Sequence, residues 1–155
     1  MMVWRLLFGC CLGLLLLSCS EQTSISPVAT PFGDLSAITA GSGQIAIFSG
    51  MPNPQWLLDA DAVAHIQQVI QTATTLNPST LAEPPGLGFA GMSLELRGAG
   101  EPLNVTVFNE AITIRQASTI TYLSDPDRVF ERWLLANARP QLEPAIYDLA
   151  KHNLP

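Results

Sequence analysis

Two histidines, His65 and His152, are the only imidazoles in the chain. Hydrolysis through an activated Ser or Thr would have to borrow one of them as its base, with a third group to orient it. Helical spacing puts His65 on the solvent side of its helix, and His152 is the fourth residue from the C-terminal end. Neither falls in a nucleophile–base–acid arrangement, and two isolated histidines fall short of a zinc ligand set. The carboxylates Glu95, Glu101, Glu110, Asp125 and Asp127 read as surface or helix-capping residues. A pair of carboxylates brought together by folding remains the one route to catalysis. The run Gly86-Leu87-Gly88-Phe89-Ala90-Gly91 has the G-x-G-x-x-G pattern, but it follows Pro84-Pro85 and leads into a strand. A dinucleotide fingerprint follows a strand and opens a helix, so these glycines are expected to serve a tight loop. No metal or cofactor is expected, and no catalytic residue is assigned. The most distinctive stretch is Ser49-Gly50-Met51-Pro52-Asn53-Pro54-Gln55-Trp56. An Asn held between prolines has little freedom, its amide can tie the loop to backbone, and Trp56 can cover a core edge. A rigid loop carrying an aromatic also suits ligand or partner contact. Ser49, Asn53, Trp56, Gly88 and Phe89 are therefore the candidate binding residues, with the structural role as the competing account.

A different chemistry is suggested by the cysteines. There are three, Cys10, Cys11 and Cys19. Met1 to Arg5 is short with one positive charge, Leu6 to Leu17 is uncharged and apolar, and Ser20-Glu21-Gln22-Thr23 turns polar. That order is a secretory signal, and its apolar run is short for a membrane span. The tetrad Leu16-Leu17-Ser18-Cys19 resembles the lipobox of bacterial lipoproteins. The resemblance implies that the Cys19 thiol receives a diacylglycerol, that cleavage falls just before it and that the new amine is acylated. It also implies outer-membrane routing, because Ser20 rather than Asp follows the cysteine. An ordinary secretory signal with Cys19 incidental is the alternative. After cleavage, Cys19 would be the sole cysteine, with no internal partner for a disulfide. Two or three acyl chains would make a stable membrane anchor.

The mature chain would then carry six basic groups against thirteen acidic ones, a net of −7. Nucleic acid is excluded as an expected partner, since such binding needs clustered Lys and Arg. Charge-driven docking on anionic lipid is disfavoured for the same reason. The expected partners are the membrane, through the N-terminal lipid, and an envelope protein or small ligand.

These residues need elements to position them. Residues 1–18 read as signal, 19–43 as lipidated N-terminus and flexible Ser/Thr/Pro/Gly-rich tether, and 44–155 as a single domain. Roughly 110 residues suffice for one hydrophobic core. Gln44 to Phe48 reads as a strand. Asp59 or Asp61 caps a helix whose stripe is Val63, Ile66, Ile70 and Ala73. After the Pro/Gly loop 77–91 the period changes to two: Met92, Leu94 and Leu96, then Leu103, Val105 and Val107. Asn104-Val105-Thr106 has the glycosylation pattern and is read as strand. Asn109-Glu110 suits a tight turn into Ile112 and Ile114, and a last strand covers Thr119 to Leu123. Asp125-Pro126 starts a helix with Val129, Phe130, Trp133 and Leu134 inward. Pro140 interrupts it, and Leu142, Ala145, Ile146 and Leu149 continue the helical spacing. The expected fold is α+β: an antiparallel sheet of about four strands with two to three helices on one face.

The S-G-x-x-N-P-x-W loop after the first strand and the G-x-G-F/Y-x-G segment before the next resemble a group of small, mostly uncharacterised exported bacterial proteins. Ser49, Gly50, Asn53, Pro54, Trp56, Gly86, Gly88, Phe89 and Gly91 carry that resemblance. The group has no assigned activity, so it implies none here. The sequence thus points to a lipid-anchored envelope protein, non-enzymatic and acting as a binding module, with an envelope hydrolase using carboxylates as the alternative.

Overall fold

The structure is a computed structural model describing residues 32–48, 50, 52–83 and 88–154. Cys19, Ser49, Gly86 and the whole signal segment lie outside the described residues. The elements run β1 (Ile38–Ile45), β2 (Gln55–Leu58), α1 (Ala60–Thr72), β3 (Met92–Gly98), β4 (Leu103–Phe108), β5 (Ala111–Gln116), β6 (Thr119–Ser124), α2 (Val129–Ala138) and α3 (Pro144–His152). The six strands form one sheet in the order β2-β1-β3-β4-β5-β6, antiparallel throughout. The α+β class is as expected, but the sheet has six strands rather than about four.

The extra width comes from the N-terminal side, for a physical reason. β1 begins at Ile38, so Ile38 to Gly43 pairs with β3 instead of forming tether. Its composition, Thr-Ala-Gly-Ser-Gly, reads as linker. Two of those glycines are required by packing. Gly43 faces Trp56 across the β1–β2 pair, and a Cβ on it would overlap the indole. At Gly41 a Cβ would come within 2.8 Å of Leu96 and 2.9 Å of Leu58. β2 is four residues long and follows directly on Pro54, too short for a period to register.

β3 to β6 form a meander whose alternation places Met92, Leu94, Leu96, Leu103, Val105, Val107, Ile112 and Ile114 inward, all buried. Ser93, Glu95, Asn104, Thr106, Thr113 and Arg115 lie on the other, solvent-facing side, as a two-layer antiparallel sheet allows. The β4–β5 turn uses Asn109 and Glu110 at φ 44° and 67°, the pair of positive values that a two-residue hairpin requires.

Helices cover the apolar face: α1 packs on β1 and β2, α2 on β4. Asp59 is the cap of α1, its carboxylate accepting from the Ala62 amide at 2.8 Å. Val63, Ile66 and Ile70 are buried with Ala62 beside them. His65 is not on a free solvent face. It is half-buried, with its ring 4.2 Å from that of Trp133 on α2.

Two helical expectations are corrected. α2 does not start at Pro126. Pro126–Arg128 is a 3-10 turn, and Asp127 and Arg128 take left-handed φ of 56° and 53°. That displacement rotates Val129 outward, to 61% exposure. In α3 the inward residues are Tyr147 and Ala150, followed by Leu154, while Ala145 and Leu149 are exposed. The register shifts because Pro140 introduces a 3-10 turn, Arg139–Gln141, before α3 begins at Pro144. No helix among the described residues is long and apolar enough to cross a membrane.

Candidate binding groove

The chain leaving β1 toward the proline loop crosses the glycine segment. Ala46, just beyond β1, donates to the Gly91 carbonyl at 3.0 Å and accepts from the Ala90 amide at 2.8 Å. Gly91 has φ 95°, and a Cβ there would collide with the Val107 carbonyl and Phe108, so glycine is obligatory at this crossing. Gly88 takes φ 93° in the same segment.

The side chains singled out in the two segments mostly point inward. The Asn53 Oδ1 accepts from the Ile47 amide at 3.1 Å and the Phe48 amide at 2.9 Å. It closes the proline loop onto the chain leaving β1. Trp56 is 2% exposed and lies over Gly43, its indole N–H buried with no hydrogen-bond partner. Phe89 is 5% exposed and belongs to the same core. Asn53 and Trp56 therefore carry the structural role foreseen for them, and Phe89 joins it. Neither Trp56 nor Phe89 presents an open ring face to a partner.

What the loop presents outward is a groove. Phe48, Pro52 and Pro54 form one wall, Leu142 and Ile146 the other, and Gln141 lies between them. Its volume is about 330 Å³. Gln55 and Glu143 complete the rim. The prolines hold one wall stiff, and the Asn53 tie fixes that wall to β1. The opposite wall is set by the 3-10 turn and the start of α3.

One contact ties the helical wall of the groove to the sheet edge. The Gln141 side-chain amide accepts from the Leu57 amide at 2.9 Å and donates to the Leu57 carbonyl at 2.9 Å. β2 is the outer strand of the sheet, so its outward backbone groups would otherwise be open. The Leu57 side chain itself is 71% exposed. Sequence reasoning missed Gln141, Leu142, Ile146 and Phe48. A contact between residues 84 positions apart, made by a glutamine in a proline-broken turn, leaves no periodic trace.

A larger concavity of about 680 Å³ lies on the open sheet face, over Gln44, Gln55, Glu95, Arg97, Asn104 and Arg115. It is polar and offers no aliphatic or aromatic anchor of the kind that carries docking energy. The Arg97–Glu95 pair on it, at 2.8 Å, is exposed on both sides and screened by water. The same contact holds the Glu95 carboxyl below its ordinary value.

The buried charges lie elsewhere. Asp125 accepts from the Phe130 amide at 2.8 Å with one oxygen and from the Glu131 amide at 2.9 Å with the other. It caps α2 from across the left-handed turn. Glu131 is 0% exposed and accepts from the Arg128 Nε at 2.7 Å. Arg128 also reaches the Asn153 carbonyl at the end of α3, at 3.4 Å, where a helix favours a cation. Burial raises the Glu131 carboxyl above its ordinary value, and Arg128 opposes the rise. Both carboxylates are committed to structure. Among the described residues, no three His, Cys, Asp or Glu side chains come together as a metal site would need.

Compared with known proteins, the chain matches no family model, no curated protein and no solved structure.

Proposed function

We propose that this protein is a lipid-anchored, non-enzymatic interaction module of the bacterial cell envelope, which docks a protein partner in the groove between its proline loop, the edge of β2 and α3. Its address rests on the lipobox Leu16-Leu17-Ser18-Cys19 and on Ser20, which favours the outer membrane. Its mode of action rests on one observation: an apolar groove walled by Phe48, Pro52, Pro54, Leu142 and Ile146 on the surface of a domain whose other aromatic loop residues are buried. Interfaces concentrate energy in such pockets, filled by apolar or aromatic anchors.

The test is quantitative co-purification of the full-length chain from detergent-solubilised envelopes, beside Ile146→Glu. A carboxylate there fills the groove with charge while leaving the half-buried position's backbone unchanged. The expected result is a discrete partner whose recovery collapses in the variant, with thermal unfolding unaltered. Identical partner sets would contradict the groove's role. The alternative, an envelope hydrolase working through carboxylates, would need a carboxylate pair open to substrate, whereas Glu131 is 0% exposed and bonded to Arg128. Turnover of ester, amide or glycoside substrates by the purified chain would favour that reading.

A further inference from the structure

Resting on the groove reading just given, we infer that the partner is bound as an extended polypeptide strand, added to the outer edge of β2 as a seventh strand of the sheet, and that Gln141, together with the Arg139–Gln141 turn that packs on β2, is the latch it displaces.

The register of β2 assigns its backbone groups. The Ile45 amide donates to the Pro54 carbonyl at 3.0 Å, and Gly43 faces Trp56 while Gly41 faces Leu58. Pro54, Trp56 and Leu58 thus turn their hydrogen-bonding groups toward β1. Alternation turns those of Gln55 and Leu57 outward. At Leu57 both groups are taken, donor and acceptor together, by one side-chain amide. A glutamine amide has the donor and acceptor set of a peptide group, and here it makes the reciprocal pair that an adjoining strand would make. The chemistry that covers this edge is therefore that of a peptide backbone. Gln55 presents the next pair of backbone groups two residues away, over the groove.

The surroundings specify the side chains. Phe48, Pro54, Leu142 and Ile146 offer apolar contact beside the edge, and the exposed Leu57 side chain adds to it. Glu143 on the rim, in a chain of formal net charge −6, favours a basic residue. The fitting ligand is an extended segment with alternate β-branched apolar residues and a lysine or arginine. Strand addition of this kind takes its affinity from main-chain hydrogen bonds and its selectivity from pockets for alternate side chains.

The probe is the peptide acetyl-Val-Thr-Val-Lys-Val-amide, titrated into the full-length protein in detergent micelles. Two analogues N-methylated at alternate residues, one for each register, keep the side chains and remove one set of amide donors. The wild-type chain is expected to bind the parent peptide and lose at least one methylated analogue. Gln141→Ala is expected to bind the parent about tenfold more tightly, since two hydrogen bonds no longer compete. The Gln55 and Leu57 amides should gain protection from hydrogen exchange in the complex. If Gln141→Ala does not fold, the comparison of parent and methylated peptides on the wild-type chain decides alone. Equal binding of all three peptides would overturn strand addition while leaving a groove that docks side chains. Absence of binding up to millimolar peptide in both protein forms would also overturn it, and the Ile146→Glu co-purification would then judge the interaction module separately.

Discussion

At the scale of single residues, polar groups commit the backbone where the fold departs from regular structure. Asn53 satisfies two amides with one oxygen. Asn53→Ala would leave both part-buried donors without their partner, at a cost of about 1–3 kcal/mol each before water intrudes. Chemical denaturation should register the loss, and the groove wall built on Pro52 and Pro54 should loosen with it. Arg128 and Glu131 form the other such point. Arg128→Ala would strand a buried carboxylate, and breaking such a pair costs about 3–5 kcal/mol. Glu131→Gln keeps the shape and removes the charge, so it should cost less. Glu131 also gives stability a pH dependence. Its folded titration point lies above the ordinary 4.5 because burial disfavours the charged form. The protonated form is therefore the better tolerated one. Its contribution is complete below 4.5 and is lost as pH rises through the raised value. Relative to Glu131→Gln, the wild-type chain should lose denaturant resistance as pH rises above 4.5. A parallel pair of pH profiles would contradict this account.

At the scale of elements, legibility followed periodicity. The β3–β6 meander was readable because Met92 to Leu96 and Leu103 to Val107 alternate without exception and Asn109-Glu110 has hairpin chemistry. The α1 stripe was readable for the same reason at helical period. The first strand was read at Gln44 to Phe48, but β1 runs Ile38–Ile45; its first part was obscured because Gly41 and Gly43, needed for close approach to Leu58, Leu96 and Trp56, give it the composition of a tether. β2 was obscured by its length. The start of α2 was misplaced because Asp125 caps from a distance, across two left-handed residues that nothing in Pro-Asp-Arg announces. Of the candidate site, the sequence disclosed the loop and its tie through Asn53. It did not disclose which side faces out, because Trp56 and Phe89 suit a core and an interface equally well. Gly43→Ala tests the packing claim at this scale. It should displace the indole and destabilise the domain by about 1–3 kcal/mol, with a shifted tryptophan emission. Unchanged emission and stability would mean that β1 and β2 do not pack as described.

At the scale of the whole molecule, the proposed function joins an address to a surface. On the proposed reading, the lipobox Leu16-Leu17-Ser18-Cys19 would anchor the chain at the membrane through Cys19, with the lipid rather than charge as the anchor. The N-terminal peptide of the protein made in a Gram-negative host should begin at Cys19 and carry added acyl mass, and Cys19→Ser should abolish both. An unmodified peptide would remove the membrane from the proposal and leave the groove standing. On that proposal the domain would turn its stiff proline wall, β2 edge and α3 toward a partner and leave its polar sheet face to water.

The most direct measurement is photo-crosslinking in living cells, with a benzophenone amino acid placed at Pro52 in the groove or at Thr106 on the open sheet face of the full-length chain. The account predicts a discrete protein adduct from position 52, none from position 106, and loss of the first in Ile146→Glu. Adducts from the sheet face alone, or none from either position, would contradict it.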